Sequence, residues 1–130
     1  VPIREENIIN HKMQAEYFQV SPINWNKIAL AKKQGQKVLA VGTTSTRVLE
    51  THVFERTIRK KVSGWSNCFI YPGWEFRNVS HLLTNFHLPK STLFLLVSAF
   101  MGEKLAKTAY KEAISQKYRF FSYGDAMLIL

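Results

Sequence analysis

Residues 81–102 read HLLTNFHLPKSTLFLLVSAFMG, and the order of side chains in that stretch decides the fold. An apolar run gives way to a polar loop and then to an apolar helix. That is the pattern of a buried strand with reactive groups at its carboxyl end, where open α/β sheets hold their ligands. Pro89 ends the strand-like run and biases Leu88 away from helical angles, while Ser91 stands at the N-cap position ahead of Thr92 and Leu93. The loop between them, residues 85–90, thus has a fixed entry and a fixed exit. Residues 93–101 are almost all apolar, so this helix lacks a polar face and needs cover on more than one side.

The flanking sequence supplies further elements. Ser21 as N-cap, Pro22 at the first helical position and Gly35 as terminator predict a helix with Trp25, Ile28 and Ala29 on one face and Lys27 and Lys33 on the other. Residues 37–41 form a short apolar strand, followed by the hydroxyl-rich turn 42–47 and a helix expected to run to about Arg59. A break at Ser63 and Gly64 precedes two expected strands, residues 68–71 and 74–79, joined by a type II turn at Pro72 and Gly73. After Gly102 a helix over about 103–117 places Leu105, Ala109, Ala113 and Ile114 on one face, and residues 118–123 and 126–130 read as strand segments around Gly124 and Asp125. Strands alternating with helices predict an α/β domain: a mixed sheet sandwiched between helices in three layers.

A chain of 130 residues with 46% hydrophobic side chains is one ordinary domain, which buries roughly two-thirds of the surface its unfolded form exposes. Its longest apolar run falls well short of the roughly 20 residues a membrane span needs. Cys68 is the single cysteine, so no intrachain disulfide forms, and a reducing cytoplasm is the expected location. A net charge of +9 points to a polyanionic partner, nucleic acid before others. Its lysines and arginines gather around residues 32–37, 56–61 and 104–119. Any one of these clusters is equally read as a solvated helix face.

Three constellations can carry chemistry. Turn 42–47 meets a helix start with hydroxyls on Thr43, Thr44, Ser45 and Thr46, so free N–H groups and the helix dipole favour a carboxylate or phosphate there. It lacks the Gly-Lys of a P-loop and the later glycines of a dinucleotide fingerprint, and a cap-rich turn without ligand explains it equally well. His87, beside Asn85 and Lys90, titrates near neutral pH and suits proton transfer, or it is a hydrogen-bonded structural histidine. Asp125 on its turn is either a reactive carboxylate or an Asx-turn residue. The histidines show no ligand spacing, so no metal is expected.

Four strings go further: VGTTSTRVLE at 41–50, FIYPGWEF at 69–76, LLTNFHLPKSTLFLLVSAF at 82–100 and YRFFSYGDAML at 118–128. Together they closely resemble the C-terminal part of the queuosine biosynthesis family of S-adenosylmethionine:tRNA ribosyltransferase-isomerases. The likeness runs from about Ile3 to the last residue, and TNFHLPKST and YRFFSYGDAM are highly specific to that family. It implies that residues 1–130 are the C-terminal part of the α/β domain of a larger two-domain enzyme, with the N-terminal part and a β-barrel domain absent. The implied reaction transfers and isomerises the ribosyl moiety of S-adenosylmethionine onto 7-aminomethyl-7-deazaguanine at the tRNA wobble position. Epoxyqueuosine forms, and adenine and methionine leave. The resemblance further implies S-adenosylmethionine as ribosyl-donating co-substrate without a metal, tRNA bearing that base as partner, no membrane, a cytoplasmic location and compatibility with a monomer.

Carried over by position, the resemblance gives His87 and Asp125 as catalytic candidates. It gives Gly42, Thr43, Thr44, Ser45, Tyr71, Asn85, Ser91, Thr92 and Tyr123 as S-adenosylmethionine-binding candidates, and Arg47, Lys90 and Arg119 as contacts to RNA or charged intermediate. One departure stands out. Family members usually show a histidine where this chain has Gln14, and an amide cannot shuttle a proton at neutral pH. A non-catalytic RNA-binding fragment is therefore the alternative reading.

Overall fold

The computed structural model describes residues 12–130. In chain order the elements are β1 (Glu16–Val20), α1 (Pro22–Lys33), β2 (Leu39–Val41), α2 (Thr43–Thr51), β3 (Val62–Ser66), β4 (His81–Asn85), α3 (Thr92–Met101), α4 (Glu103–Ser115), a 3₁₀ turn (Phe121–Tyr123) and β5 (Ala126–Ile129). The strand of the opening sequence stretch, β4, is the middle of a three-stranded mixed sheet, parallel to β2 and antiparallel to β5. The register sets Ala40 beside Leu82 and Leu82 beside Ile129 in one buried row. Leu96 and Val97 of α3 and Tyr110 and Ala113 of α4 join that row in a single core. Full burial of a side chain such as Leu82 contributes roughly 1.5–3 kcal/mol.

The opposite face of the sheet is the row Val41, Leu83, Leu128. Val41 is 61% and Leu128 55% exposed. The α/β class and the mixed sheet are thus as expected, while the described residues leave this second face largely open.

Helix α1 begins as its sequence dictates, with the Ser21 hydroxyl accepting from Asn24 N and Pro22 in the first turn. Ser91 caps α3 in the same way through Phe94 N, and no residue of α3 is exposed. Gly102, at φ 92°, ends α3 and starts α4 at once, a corner that a side chain would strain.

Other expectations are corrected. Helix α2 stops at Thr51, not near Arg59, because His52 turns extended and Asn78 donates its amide to the carbonyls of Leu49 and His52. The following segment is held by side chains of α1: Trp25 Nε1 donates to Arg56 O at 2.8 Å, and Asn26 both donates to Ile58 O and accepts from Ile58 N. Ser63 and Gly64, expected as a break, lie inside the strand Val62–Ser66, which pairs antiparallel with β1, and the Phe18 ring lies over Gly64. On α4 the buried face is Ala106, Tyr110 and Ala113, with Leu105 and Ile114 outward. Tyr110 sets that phase, since its ring packs edge-on against Phe86 and Phe94.

Residues 68–71 and 74–79 are not strands, although the turn between them forms, with Gly73 at φ 106° and Trp74 N donating to Tyr71 O. The cause is Glu50. Its carboxylate accepts from Trp74 Nε1 at 3.2 Å, Arg77 N at 2.7 Å, Asn78 N at 2.8 Å and Val79 N at 2.9 Å. Backbone donors that a ladder would use are taken by one side chain. Asn78 and Val79 are buried, and each buried donor left unpaired costs about 1–3 kcal/mol. Glu50→Ala is accordingly expected to lower unfolding stability by about 2–6 kcal/mol, and Glu50→Gln, with one acceptor oxygen, by less. Urea denaturation of the two variants measures both.

Candidate functional site at the strand ends

Because β2 and β4 run parallel and β5 runs against β4, the carboxyl ends of the first two and the start of the third share one sheet edge. Turn 42–47, loop 85–90 and the Gly124–Asp125 turn therefore meet there. Gly42 N donates to Leu83 O at 2.8 Å, Asn85 Nδ2 to Asp125 O at 3.2 Å, and Phe121 N to Phe86 O at 2.9 Å. These contacts fix the turns to β4 and to each other.

His87 is half-buried on this edge, and its ring Nε2 lies 2.9 Å from Thr84 Oγ1. Its backbone N–H donates to the Tyr110 hydroxyl at 3.1 Å. Desolvation by burial lowers its pKa from the ordinary 6.5, so the imidazole is neutral at pH 7. One nitrogen shares a proton with Thr84, which leaves Nδ1 to accept or donate toward a ligand. Burial pushes the Tyr110 phenol up, so it stays protonated. Thr84 is buried and Tyr110 lies on another element. Thr84 lies in the TNFHLPKST string that carries the resemblance but was assigned no role, and Tyr110, 23 residues beyond His87, gave no signal in the sequence.

Asp125 accepts from the backbone N–H of Arg119 through Oδ2, closing loop 119–125. Its carboxylate is partly committed to structure, as in a turn-forming Asp. The Arg119 guanidinium folds toward Gly124, with Nη1 3.6 Å from where a Cβ would stand, and the residue is exposed. Tyr123 is 73% exposed on the 3₁₀ turn.

At the start of α2, Gly42 adopts φ 92° and no side chain caps the helix. Thr44 and Ser45 are exposed, Thr43 is buried, and Thr46 turns its hydroxyl back to Gly42 O at 2.9 Å. First-turn N–H groups therefore face outward without a side-chain acceptor, the arrangement that favours an anion.

Four candidates are placed differently. Arg47, expected to meet RNA, is 5% exposed, with Nε donating to Cys68 O at 3.1 Å and Nη1 3.3 Å from Glu16 Oε2. The guanidinium thus links α2 to β1 and to the Cys68 carbonyl, and it lines a small pocket shared with Thr44. Ser91 spends its hydroxyl on Leu88 O and Phe94 N, and Thr92 is buried in the first turn of α3. Tyr71 packs at a tilt against Phe69, in the segment tied to α2 through the Cys68 carbonyl and the Trp74 indole. Lys90 is exposed beside His87. Burial pushes the Cys68 thiol up, an unreactive protonated group. Among the described residues no cluster of three or more His, Cys, Asp or Glu is placed to hold a metal, and no helix is long and apolar enough to cross a membrane.

A mixed sheet flanked by helices, with a histidine, an uncapped helix start and a carboxylate at its strand ends, defines an α/β domain whose candidate site is at that edge. Its lineage is specific. The chain matches the family described as "Queuosine biosynthesis protein" over residues 1–129, and it belongs to that family. It is 56% identical over 129 residues to the S-adenosylmethionine:tRNA ribosyltransferase-isomerase of Halothermothrix orenii, covering 99% of this chain and 38% of that protein. The protein of the same name from Staphylococcus epidermidis is 49% identical over 129 residues, again 99% of this chain and 38% of the relative. A crystal structure of S-adenosylmethionine tRNA ribosyltransferase from Thermotoga maritima superposes with a TM-score of 0.78 at 46% identity, over 88% of this chain and 40% of that one. The family expected from the four strings is the one found, and the chain spans about 38% of the length of these curated relatives.

The depressed pKa of His87 has a sign that can be checked. The unfolded chain binds the proton more tightly, so stability falls as pH drops below about 6.5 toward the folded pKa and is unaffected above it. His87→Gln should show a shallower loss of stability between pH 6.5 and 5 than the parent chain, read from denaturation midpoints across that range.

Proposed function

We propose that this chain is the sheet-edge part of an enzyme of queuosine biosynthesis that modifies tRNA. In this reading it transfers and isomerises the ribosyl group of S-adenosylmethionine onto 7-aminomethyl-7-deazaguanine at the wobble position. Epoxyqueuosine is formed, and adenine and methionine are released. The observation that carries the reading is His87, whose ring meets Thr84 and whose backbone N–H donates to the Tyr110 hydroxyl, with burial favouring the neutral imidazole, where three turns meet. It stands in a chain about half identical to relatives bearing that enzyme's name.

The chemistry asks for a base beside the sulfonium, donors for the departing adenine and a water-poor site. His87 Nδ1 is the base in this assignment, because Asp125 is already engaged by Arg119 N. The N–H groups of the uncapped first turn, at the exposed Thr44 and Ser45 beside Gly42 and the buried Thr43, suit the methionine carboxylate. Asn85 and Tyr123 contribute polar contacts from the other two turns. S-adenosylmethionine is co-substrate and tRNA the partner, in the cytoplasm. In this reading the open Val41, Leu83, Leu128 face packs against further parts of the longer family proteins, of which this chain spans about 38%.

A second reading has its own observation. Gln14, exposed ahead of β1, stands where the family usually shows a histidine, and a chain spanning about 38% of its relatives can keep RNA affinity after losing turnover. Adenine release from S-adenosylmethionine, with tRNA carrying the aminomethyl base, separates the two. Under the first reading His87→Ala lowers the release rate by about 10²–10⁴-fold with tRNA affinity unchanged. Release at the parent rate removes His87 from the mechanism. No release from the parent chain, with tightly salt-dependent tRNA binding, establishes the second reading.

A further inference from the structure

Behind the His87 loop, between the start of α3 and the outer side of α4, lies a groove of about 410 Å³. Its floor is apolar, made by Phe94, Tyr110 and Ile114, and Lys90, Lys107 and Lys111 line it as well. That volume falls within the roughly 300–1,000 Å³ of small-ligand pockets. It fits one flattened ring system and its substituents. Ile114 is 58% exposed although it sits on a helix whose opposite face is in the core. The fold does not use it.

Among the described residues the positive charges here outnumber the negative, Glu103 one turn before Lys107 being the carboxylate nearest along the helix. Lys107 and Lys111 are one helical turn apart, where like charges repel, and the helical neighbours of Lys111 at three and four residues are Thr108, Ile114, Lys107 and Ser115. Among the described residues none of the three lysines has a carboxylate partner, the ion pair found there being Arg47 with Glu16. Lys90 adds backbone strain. It holds φ 63°, in the left-handed region that non-glycine residues avoid, within a turn closed by Ser91 N to Leu88 O. Three cations around an apolar floor are what single-stranded nucleic acid requires: a face for a base and ammonium groups for the flanking phosphates.

We propose that this groove binds an unpaired RNA nucleotide next to the one modified, with its base on Phe94 and Ile114 and its phosphates on Lys90, Lys107 and Lys111. The proposal rests on the tRNA-modifying reading above and names where that RNA lies. The groove and the reactive edge are physically joined, since the Tyr110 ring forms part of the floor and its hydroxyl accepts from His87 N.

The test is fluorescence anisotropy of the chain with an anticodon stem-loop RNA across a salt series. Each phosphate contact contributes about 0.7 to the slope of log affinity against log salt for single strands. The double variant Lys107→Gln, Lys111→Gln should therefore lose about 1.4 of slope and about 25-fold in affinity at 0.1 M salt. Lys33→Gln with Lys37→Gln, equal in charge removed, should leave both nearly unchanged. Ile114→Ala should weaken binding at unchanged slope, and Lys90→Gly should weaken it while maintaining or raising the melting temperature. Equal losses from the two lysine pairs, equal affinity for duplex RNA, or displacement by polyglutamate as effective as by the stem-loop would each overturn the proposal. If adenine release is intact while the groove variants bind as the parent does, only this proposal fails. If the parent chain binds no stem-loop at all, the tRNA reading fails with it.

Discussion

Strand β4 is hydrogen-bonded on both sides, parallel to β2 and antiparallel to β5, and everything at the candidate site follows from that double pairing. A parallel neighbour brings the end of β2 to the same edge as the end of β4. An antiparallel neighbour brings the beginning of β5 there too. Three stretches far apart in sequence, around Gly42, His87 and Asp125, become neighbours through backbone geometry alone. The buried row Ala40, Leu82, Ile129 holds the register, because a slip of one residue would exchange it with the row that contains Val41 and Leu128.

The helices around this sheet are placed by a few polar side chains acting at long range. Glu50 gathers three consecutive backbone amides and an indole, and Asn78 covers carbonyls at the end of α2. Asn26 and Trp25 on α1 satisfy the irregular segment that follows α2. Tyr110 does the same for the functional loop, linking α4 to His87 N. Burial of the His87 ring then favours the neutral imidazole and the hydroxyl of Thr84 orients it, the state a proton acceptor needs.

Local signals were legible where local physics decides. Ser21 with Pro22, Ser91 after Pro89, and Pro72 with Gly73 each fixed a cap or turn that the structure contains. The α/β class and the family could likewise be read from the chain. What could not be read were segments whose hydrogen-bond partners lie about 20 to 50 residues away. Residues 74–79 alternate like a strand, yet Glu50 claims their donors. Ser63 and Gly64 read as a break, yet β1 pairs with them, and β1 has no signal of its own beyond a partner to meet. Arg47 looked like a free cation because Glu16 and the Cys68 carbonyl are remote in sequence. On α4 the larger Leu105 and Ile114 suggested the core face, while tight packing selected the small Ala106 and Ala113 around Tyr110.

The most direct measurement is an amide-resolved NMR titration of the chain with S-adenosylmethionine. If the three turns form one site, the signals of Thr44, His87 and Asp125 shift together along a single binding curve, while those of the Glu50-bound segment stay in place. Separate midpoints for the three turns, or a shift confined to one of them, would contradict a shared site at the strand ends.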